Sequence, residues 1–279
     1  MSTQLYSKTA FAISEIVTRN YSTSFALAIK TLDKRFRAPI CGIYGFVRFA
    51  DEIVDTFHDF DKESLLEKFK QDTYRAIYEG ISLNPVLHAF QEVVNKYEID
   101  LLHIEQFLRS MEMDLQTSKH AQQSFEEYIY GSAEVVGLMC LQVFCEGDKQ
   151  KYESLKPFAC KLGSAFQKVN FLRDVQSDFE ERGRVYFPGV EWKSFNNLSK
   201  TQIETDIQNE FDEAYKGILN LPEGARLGVY LAYKYYLSLF NKIKKVDAAK
   251  IMQSRIRVSN QKKIALLLQS YLSKKMNLI

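Results

Sequence analysis

Two segments of the chain carry acidic and amide side chains at helical spacing. In the first segment, positions i, i+4, i+7 and i+11 are held by Tyr44, Arg48, Asp51 and Asp55. In the second, positions i, i+3, i+7 and i+11 are held by Gln167, Asn170, Asp174 and Asp178. At 3.6 residues per turn, each set shares one helix face. Two such faces across a cavity would hold hard divalent cations, which bind oxygen ligands and bridge phosphate oxygens.

One pair of carboxylates at this spacing is common on solvated helices, so the surroundings decide the interpretation. Residues 43–49 carry Arg48 as their only charge, and residues 166–172 carry only Lys168. Carboxylates next to such apolar helix turns are costly unless they are paired or bound to metal. The doubled pattern therefore favours a functional site over a plain surface.

The residue types suggest roles in binding a diphosphate. Several Mg²⁺ ions would be held by Asp51, Asp55, Asp174 and Asp178, with Asn170 as a further oxygen ligand. Bound metal would stabilise diphosphate as a leaving group. Glu52 points off this face, which predicts a supporting or surface role.

Basic and hydroxyl side chains near these segments could contact the same anion. Arg48 and Arg173 can form bidentate bonds to diphosphate oxygens, although each could also pair with a neighbouring carboxylate, and the two roles are compatible. Ser22 and Ser24 precede a predicted helix start, where free N–H groups suit an anion. Ordinary N-capping is the alternative for both serines.

Five segments resemble the motifs of the squalene/phytoene synthase family, the head-to-head prenyl transferases. The two carboxylate segments resemble its two aspartate-rich motifs. Its other motifs are resembled by Tyr21–Phe25 (YSTSF), Tyr128–Gly137 (YIYGSAEVVG) and Gly183–Pro188 (GRVYFP). The motifs follow the family's order from about residue 20 to about residue 263, and they are most similar to those of bacterial phytoene synthases.

The resemblance implies a fold, a reaction and cofactors. The fold would be an all-α, single-domain helical bundle of the isoprenoid-synthase type, spanning 1–279 around a central apolar cavity. The reaction would join two geranylgeranyl diphosphates into phytoene through a cyclopropylcarbinyl diphosphate, a step of carotenoid biosynthesis. Mg²⁺ is the expected metal, with Mn²⁺ as a substitute. NADPH is not expected, although the sequence leaves open whether the last intermediate loses a proton or accepts a hydride.

The resemblance also assigns roles to residues outside the carboxylate pairs. Near the reacting centre it places Tyr44, Asp114, Tyr128 and Tyr236, where cation–π contact or proton transfer is expected of the tyrosines. For substrate binding it adds Gln167 and the late basic residue Arg255. Each tyrosine could instead be ordinary core, and Arg255 could be a surface residue.

Substrate length is an open question at this stage. Phe25 and Ile29 share a helix face at i, i+4, and we expect this face to form the floor of the prenyl pocket and to leave room for C20 donors. Glu134 departs from the family pattern, which has a small neutral residue there. We expect its side chain to face out of the cavity or to pair with a base.

Three alternatives compete with phytoene synthesis. One is a C30 synthase that makes squalene or dehydrosqualene from farnesyl diphosphate. A second is a non-catalytic scaffold that keeps the fold, against which the complete set of acidic and basic residues argues. A third is a terpene cyclase, for which the Tyr21–Phe25 and Gly183–Pro188 motifs have no evident use.

Composition bounds the class of protein. Of 279 residues, only 5 are Pro and 12 are Gly, which predicts long uninterrupted helices. The net charge of +2 gives no reason to expect a nucleic-acid partner. The cysteines lie in apolar segments without a C-x-x-C pattern, which is typical of reduced thiols in a cytoplasmic protein; they are Cys41, Cys140, Cys145 and Cys160.

Two segments bear on membrane contact. The longest apolar run, Val135–Cys145, is too short to span a bilayer by itself, and residues 1–20 carry no signal-peptide pattern. Lys262–Lys275 mixes lysines with leucines and predicts a basic amphipathic helix on a membrane surface, which would place the enzyme peripherally at the inner face. A terminal helix packed on the bundle is the alternative.

Apolar periodicity and cap residues predict twelve helices and no strand. Their predicted ranges are 4–19, 24–32, 38–57, 61–79, 85–97, 100–117, 124–146, 150–181, 199–219, 223–245, 247–254 and 259–276. Asn84 with Pro85 at the first helical position and Asp61 are predicted N-terminal caps, and Gly80 is a predicted C-terminal stop. Capping boxes are predicted at Ser124 with Glu127 and at Ser199 with Gln202, and Pro157 is expected to kink or restart its helix.

Overall fold

A computed structural model describes residues 3–116, 122–182, 187, 195–253, 255–276 and 279, apart from the side chains of residues 116, 122–124 and 177–182. Within these residues the structure is helical and contains no strand. The helices are α1 Thr3–Tyr21, α2 Thr23–Thr31, α3 Lys34–Asp55, α4 Lys62–Glu79, α5 Pro85–Tyr97, α6 Leu101–Gln116, α7 Gln122–Ile129, α8 Val135–Cys145, α9 Lys149–Arg182, α10 Asn197–Asn220, α11 Glu223–Lys244, α12 Ala248–Ile251 and α13 Asn260–Lys275. A π-helical stretch, Tyr130–Glu134, joins α7 to α8. The all-α prediction is confirmed.

Local capping explains several helix boundaries. Asn84 accepts hydrogen bonds from the N–H groups of Val86 and Leu87, with Pro85 at the first helical position as predicted. Asp61 caps α4, and Gly80 ends it in the left-handed conformation at φ 69°. These predictions are confirmed.

Two boundary predictions differ from the structure. The capping box predicted at Ser199 belongs instead to Asn196, whose side chain accepts from the Ser199 N–H while the Ser199 hydroxyl accepts from the Asn196 N–H. The asparagine takes the cap because helix α10 begins two residues earlier than predicted. Helix α9 also continues through Pro157 without restarting. The other predicted box, at Ser124, depends on a side chain outside the described residues.

One buried core joins most of the helices. Helix α3 packs on α1 and α5, and α9 packs on α8 and α10. Aromatic rings fill the space beside α3, where the Phe46 and Phe90 rings stack with centroids 3.9 Å apart. The two helices that carry the predicted carboxylates are thus held by extensive packing on several sides.

A buried polar network fixes α9 against α10. Glu210 accepts hydrogen bonds from the Ser164 hydroxyl (2.8 Å) and from the Lys168 ammonium (3.0 Å), and Lys168 also pairs with Asp206. Because paired buried charges tolerate little displacement, the network sets the rotation of α9. Gln167 and Asn170, on the neighbouring face of the same helix, are thereby positioned.

The helical segment Phe125–Cys145 is long and apolar enough to cross a membrane by length and composition. The apolar run 135–145 is the C-terminal part of this segment. The run alone is too short to span a bilayer, as expected, but the whole segment is not. More than half of its most apolar window is buried inside the fold, however. This burial is typical of a core helix in a globular protein.

Candidate active site

A cavity of about 690 Å³ runs between helices α2, α3, α8, α9 and α11. All the predicted site residues except Ser24 and Asp178 line it: Ser22, Phe25, Ile29, Tyr44, Arg48, Asp51, Asp55, Asp114, Tyr128, Gln167, Asn170, Arg173, Asp174, Tyr236 and Arg255. Ser24 does not line it, and the Asp178 side chain lies outside the described residues. Most of the charged side chains come from the C-terminal halves of α3 and α9, and the N-terminal halves of both helices supply mainly apolar ones. The cavity therefore has a charged end and a hydrocarbon-like end.

Two arginines hold the carboxylate of Asp174. Arg173 Nε lies 3.0 Å from Asp174 Oδ1, and Arg173 Nη2 lies 2.5 Å from Oδ2. Arg255, from the segment between α12 and α13, brings its Nε to 2.8 Å of Oδ1. Two guanidinium groups thus lie beside the Asp174 carboxylate, and each has N–H groups that could also donate to an anion. With Arg48, Asp51 and Asp55 included, the charged end has three arginines and three carboxylates.

Arg48 occupies the α3 side of the same end. Its guanidinium pairs with Glu52, lies 4.0 Å from Asp51 Oδ2 and sits 4.5 Å above the centre of the Tyr21 ring. Glu52 does not line the cavity, so it supports Arg48 from outside. Arg48 Nε is buried and donates no hydrogen bond to a described residue. Arg48 lines the cavity, so an anion bound there after a small side-chain movement could accept from this donor.

Asn170 presents an acceptor to the charged end. Its Oδ1 is buried and accepts no hydrogen bond from any described residue, while its Nδ2 lies 3.4 Å from Gln167 Oε1. An orphaned buried oxygen beside carboxylates suits a hard cation, which takes oxygen ligands. The donor set of this cavity end therefore fits Mg²⁺. The described residues include no preformed group of three or more His, Cys, Asp or Glu side chains, so a metal ion here would need substrate oxygens among its ligands.

Ser22 lies at the start of α2. Its hydroxyl accepts from the Phe25 N–H at 3.2 Å and so caps the helix. Ser22 lines the cavity and Ser24, inside the first turn, does not. Ser22 is thus an N-cap, which was the alternative to anion binding. It also lines the cavity, so the two roles are compatible for this residue.

Four aromatic rings lie together in the middle of the cavity. Phe25 is 5.9 Å from Tyr44 and 6.0 Å from Tyr236, and Phe166 stacks on Tyr236 at 3.9 Å. Burial raises the pKa of Tyr44 to about 12 and raises the pKa of Tyr236 as well. Both phenols therefore stay neutral at physiological pH, where their ring faces can stabilise a carbocation.

Phe166 is a lining residue that the sequence analysis missed. Phe166 precedes Asn170 by four residues, which is about one helical turn. Side chains at i and i+4 are neighbours on a helix surface, so this spacing could have identified Phe166 from the sequence. The structure thus adds a ring to the predicted tyrosines.

Asp114 and Tyr128 meet on the α6–α7 side. The Tyr128 hydroxyl donates to Asp114 Oδ2 at 2.7 Å, and both residues line the cavity. This hydrogen bond joins two residues that the resemblance placed separately near the reacting centre.

Close backbone contacts form the wall next to the π-helical stretch. A Cβ atom at Gly163 would lie 2.7 Å from the Ala133 carbonyl oxygen, so α9 reaches this stretch at backbone distance. Glu134 itself is not among the lining residues; burial raises its pKa, and its side chain is hydrogen-bonded to Cys160. It faces away from the cavity, as expected.

Comparison with known proteins identifies a family model for most of the chain. The model described as squalene/phytoene synthase matches residues 18–262. Phytoene synthase 1 of Arabidopsis thaliana is 29% identical, over 91% of this chain and 64% of the plant protein. A 4,4'-diapophytoene synthase of Staphylococcus haemolyticus is 24% identical, over 88% of this chain and 91% of that protein. The chain thus spans a little under two thirds of the plant relative.

A solved structure has the same fold. The crystal structure of a dehydrosqualene synthase in complex with ligand superposes with a TM-score of 0.83 at 24% sequence identity, over 98% of this chain and 99% of that chain. This likeness establishes the arrangement of the helices around the cavity.

Proposed function

This chain belongs to the squalene/phytoene synthase family, and on that premise we propose that it condenses two prenyl diphosphates head to head. We propose geranylgeranyl diphosphate as the substrate and phytoene as the product, as a step of carotenoid biosynthesis. The proposal is supported by one observation: a single cavity is lined by carboxylates and arginines from the C-terminal halves of α3 and α9 and mainly by apolar side chains from their N-terminal halves. A prenyl diphosphate has the same division of charge.

The charged end binds and activates diphosphate. Mg²⁺ would be held there by Asp51, Asp55, Asp174 and Asn170, together with Asp178 if its side chain also faces the cavity, and it supplies the Lewis acidity that stabilises diphosphate as a leaving group. Hydrogen bonds to the non-bridging oxygens of the diphosphate come from Arg48, Arg173 and Arg255. Arg173 and Arg255, which contact Asp174 in this structure, would donate to the diphosphate oxygens when the substrate is bound.

The reaction runs in two ionisations. In the first, the C1–O bond of one donor breaks, diphosphate leaves with the electron pair, and the alkene of the second donor attacks the allylic cation. Loss of one proton closes the cyclopropane ring. In the second, the remaining C–O bond breaks, the carbon skeleton rearranges, and loss of another proton gives the linear hydrocarbon with a conjugated triene at its centre, without any reductant.

The aromatic middle of the cavity protects these cations. Phe25, Tyr44, Phe166 and Tyr236 place ring faces between the charged end and the apolar end. Because the tyrosines are neutral, they offer cation–π stabilisation and no nucleophilic phenolate. The surrounding apolar residues exclude the water that would trap a cation as an alcohol.

The C20 assignment is supported by the size of the side chains at the pocket floor. Ala28 and Ile29 line the cavity next to Phe25, and neither carries a large ring. The C30 alternative is favoured by one comparison, the diapophytoene synthase matched over 91% of its length. Phytoene and dehydrosqualene synthesis differ in the number of isoprene units that the cavity accepts, whereas squalene synthesis would also need a hydride donor.

Product analysis tests the proposal. The full chain is incubated with C15 or C20 diphosphate, with Mg²⁺, Mn²⁺ or EDTA, and with or without NADPH, and the hydrocarbons are identified by mass. We expect phytoene from the C20 substrate, no dependence on NADPH and no turnover in EDTA. A C30 product alone would replace the C20 assignment, and absence of any hydrocarbon with either substrate would favour a scaffold.

The reaction's setting follows from its product. A C40 hydrocarbon is insoluble in water, so we propose a cytoplasmic enzyme that contacts the inner face of a membrane.

A further inference from the structure

We infer that the outer face of helix α13 and a lysine-lined groove beside it form a docking surface for an anionic lipid bilayer. The inference deepens the proposed function, because it names the surface that contacts the membrane and the charge of the lipid. The reason for membrane contact rests on the proposed function, whereas the surface itself is argued from the structure. Its residues are separate from the charged end of the cavity.

Helix α13 turns an apolar face to solvent. Its inner face buries Leu266 and Ser270 against α11. Large apolar side chains recur on the outer face at i, i+4, i+7, i+8 and i+12, all of them half exposed or more: Ile264, Leu268, Tyr271, Leu272 and Met276. Lys275 is the one charged residue within this sector of the helix. A continuous apolar stripe of this length on a surface helix marks an interaction site.

A basic groove of about 490 Å³ lies next to this stripe, between α11 and the start of α13. Its charged lining consists of four lysines: Lys234, Lys242, Lys245 and Lys262. No carboxylate lines it among the described residues, and none of the four lysines pairs with a described carboxylate. Ser238, Asn241 and Ser259 add neutral hydrogen-bonding groups. The groove thus has the charge and the donors to receive a lipid phosphate.

The charge of the chain is polarised toward this end. Residues 223–276 contain twelve Lys or Arg and two Asp or Glu, so this segment is net +10, whereas the whole chain is only +2. The remaining residues are therefore net −8. A molecule with this polarity is oriented by an anionic surface before contact, with α13 toward the lipid.

A bilayer fits both features better than other partners do. A symmetric contact with a second copy would press two segments of net +10 against each other. A nucleic acid would pair with the lysines and leave the apolar stripe in water. A helix that combines an apolar face with flanking lysines lies in the interface plane of an anionic membrane.

The docking surface lies directly behind the cavity wall. Leu266 of α13 packs in one buried cluster with Ala28 of α2 and Ala232 of α11. Both alanines also line the cavity. The wall between them and the membrane-facing helix is therefore only a few side chains thick, which brings the hydrocarbon-binding space close to the lipid.

Vesicle co-sedimentation of the full chain, without substrate, tests the inference. Phosphatidylcholine vesicles with or without phosphatidylglycerol are compared at low and high salt. We expect binding only to the anionic vesicles, weakened by salt. The variant Leu268→Ser/Leu272→Ser should bind at least about tenfold more weakly, and Lys234→Gln/Lys245→Gln/Lys262→Gln on the order of a hundredfold more weakly.

A matched control uses two exposed apolar residues elsewhere. Tyr78 and Leu83 are 91% and 94% exposed and lie in the part of the chain that is net negative. Tyr78→Ser/Leu83→Ser should bind vesicles as the wild type does. Equal binding by the wild type and the α13 variant would overturn the inference. So would a dimer in analytical ultracentrifugation that Leu268→Ser/Leu272→Ser abolishes, because the stripe would then be covered by a second copy.

Turnover in detergent micelles separates this inference from the proposed function. We expect the vesicle-binding variants to retain wild-type turnover there, with circular dichroism confirming that they fold. Vesicle binding without hydrocarbon synthesis would contradict the proposed function alone, and hydrocarbon synthesis without vesicle binding would contradict the docking surface alone.

Discussion

Arg255 Nε lies 2.8 Å from Asp174 Oδ1, although the two residues are 81 positions apart in the chain. Arg255 belongs to the segment that leads into α13, and Asp174 belongs to the second carboxylate face of α9. The contact ties the segment after α12 to the charged end of the cavity. Because Arg255 is half exposed, its guanidinium can leave the carboxylate for an incoming diphosphate without a change in the core.

The first prediction concerns this arginine. Arg255→Gln removes a charge-assisted contact to diphosphate, so we expect KM for the prenyl diphosphate to rise about tenfold to a hundredfold. Arg255→Lys should restore part of the loss, since it keeps the charge without the planar fork. Arg257→Gln is the matched control, two residues further on and outside the cavity lining. An unchanged KM in Arg255→Gln would contradict the role in substrate binding.

The second prediction separates the ring of Tyr44 from its hydroxyl. Burial raises the pKa of this tyrosine to about 12, so its phenol is neutral and a cation would be stabilised by the ring face. Tyr44→Phe should keep kcat within about threefold, and Tyr44→Leu should lower it about tenfold, from the loss of a cation–π contact. Steady-state kinetics over neutral to mildly alkaline pH would check this. A loss in Tyr44→Phe as large as in Tyr44→Leu would instead assign the hydroxyl a proton-transfer role.

The third prediction concerns substrate length. Ile29 is buried and lines the cavity one turn after Phe25. Ile29→Phe fills the space beyond Phe25, so we expect the ratio of C20 to C15 turnover to fall about tenfold. Leu27→Phe, on the same helix but outside the cavity lining, should leave the ratio unchanged. Equal ratios in Ile29→Phe and the wild type would remove this residue from the pocket floor.

The fourth prediction is a pH dependence of stability. Cys140 lines the cavity and is partly exposed there, and loss of hydration raises the pKa of its thiol from 9.0 to about 12. The unfolded chain therefore releases this proton first as pH rises. Stability from the neutral thiol is fully present below pH 9 and is lost as pH rises toward 12. At a pH near 10.5 the loss amounts to about 2 kcal/mol.

Urea denaturation at neutral pH and near pH 10.5 measures this loss. Cys140→Ala should lose about 2 kcal/mol less between the two conditions than the wild type. All other buried thiols and phenols are common to both proteins, so they cancel in the comparison. An equal loss in both would show that Cys140 does not remain protonated.

The local features of this protein could be predicted from its sequence. Helix bounds fell within a few residues of the structure because apolar periodicity and side-chain caps such as Asn84 act over one or two turns. The shared faces of Asp51 with Asp55, and of Gln167 with Asn170, follow from helical rotation alone. The convergence of both faces on one cavity is a tertiary fact that the family resemblance supplied.

The remaining features depend on contacts between distant residues. The pairing of Arg255 with Asp174 requires the chain to return to α9 after two more long helices, and no local signal encodes it. The network of Ser164, Lys168 and Glu210 likewise needs the packing of α10. The capping box at Asn196 was misplaced by three residues because Ser199 and Gln202 fit the same pattern.

The glycine contact at the π-helical stretch limits how this cavity can be remodelled. A Cβ atom at Gly163 would lie 2.7 Å from the Ala133 carbonyl oxygen, so α9 and the π-helical stretch are already in contact at backbone distance. The pocket cannot be narrowed there by drawing the helices together, and any side chain added at Gly163 would push them apart. At this wall the size of the accepted substrate can therefore be reduced by side chains that project into the cavity, and not by a closer approach of the backbones.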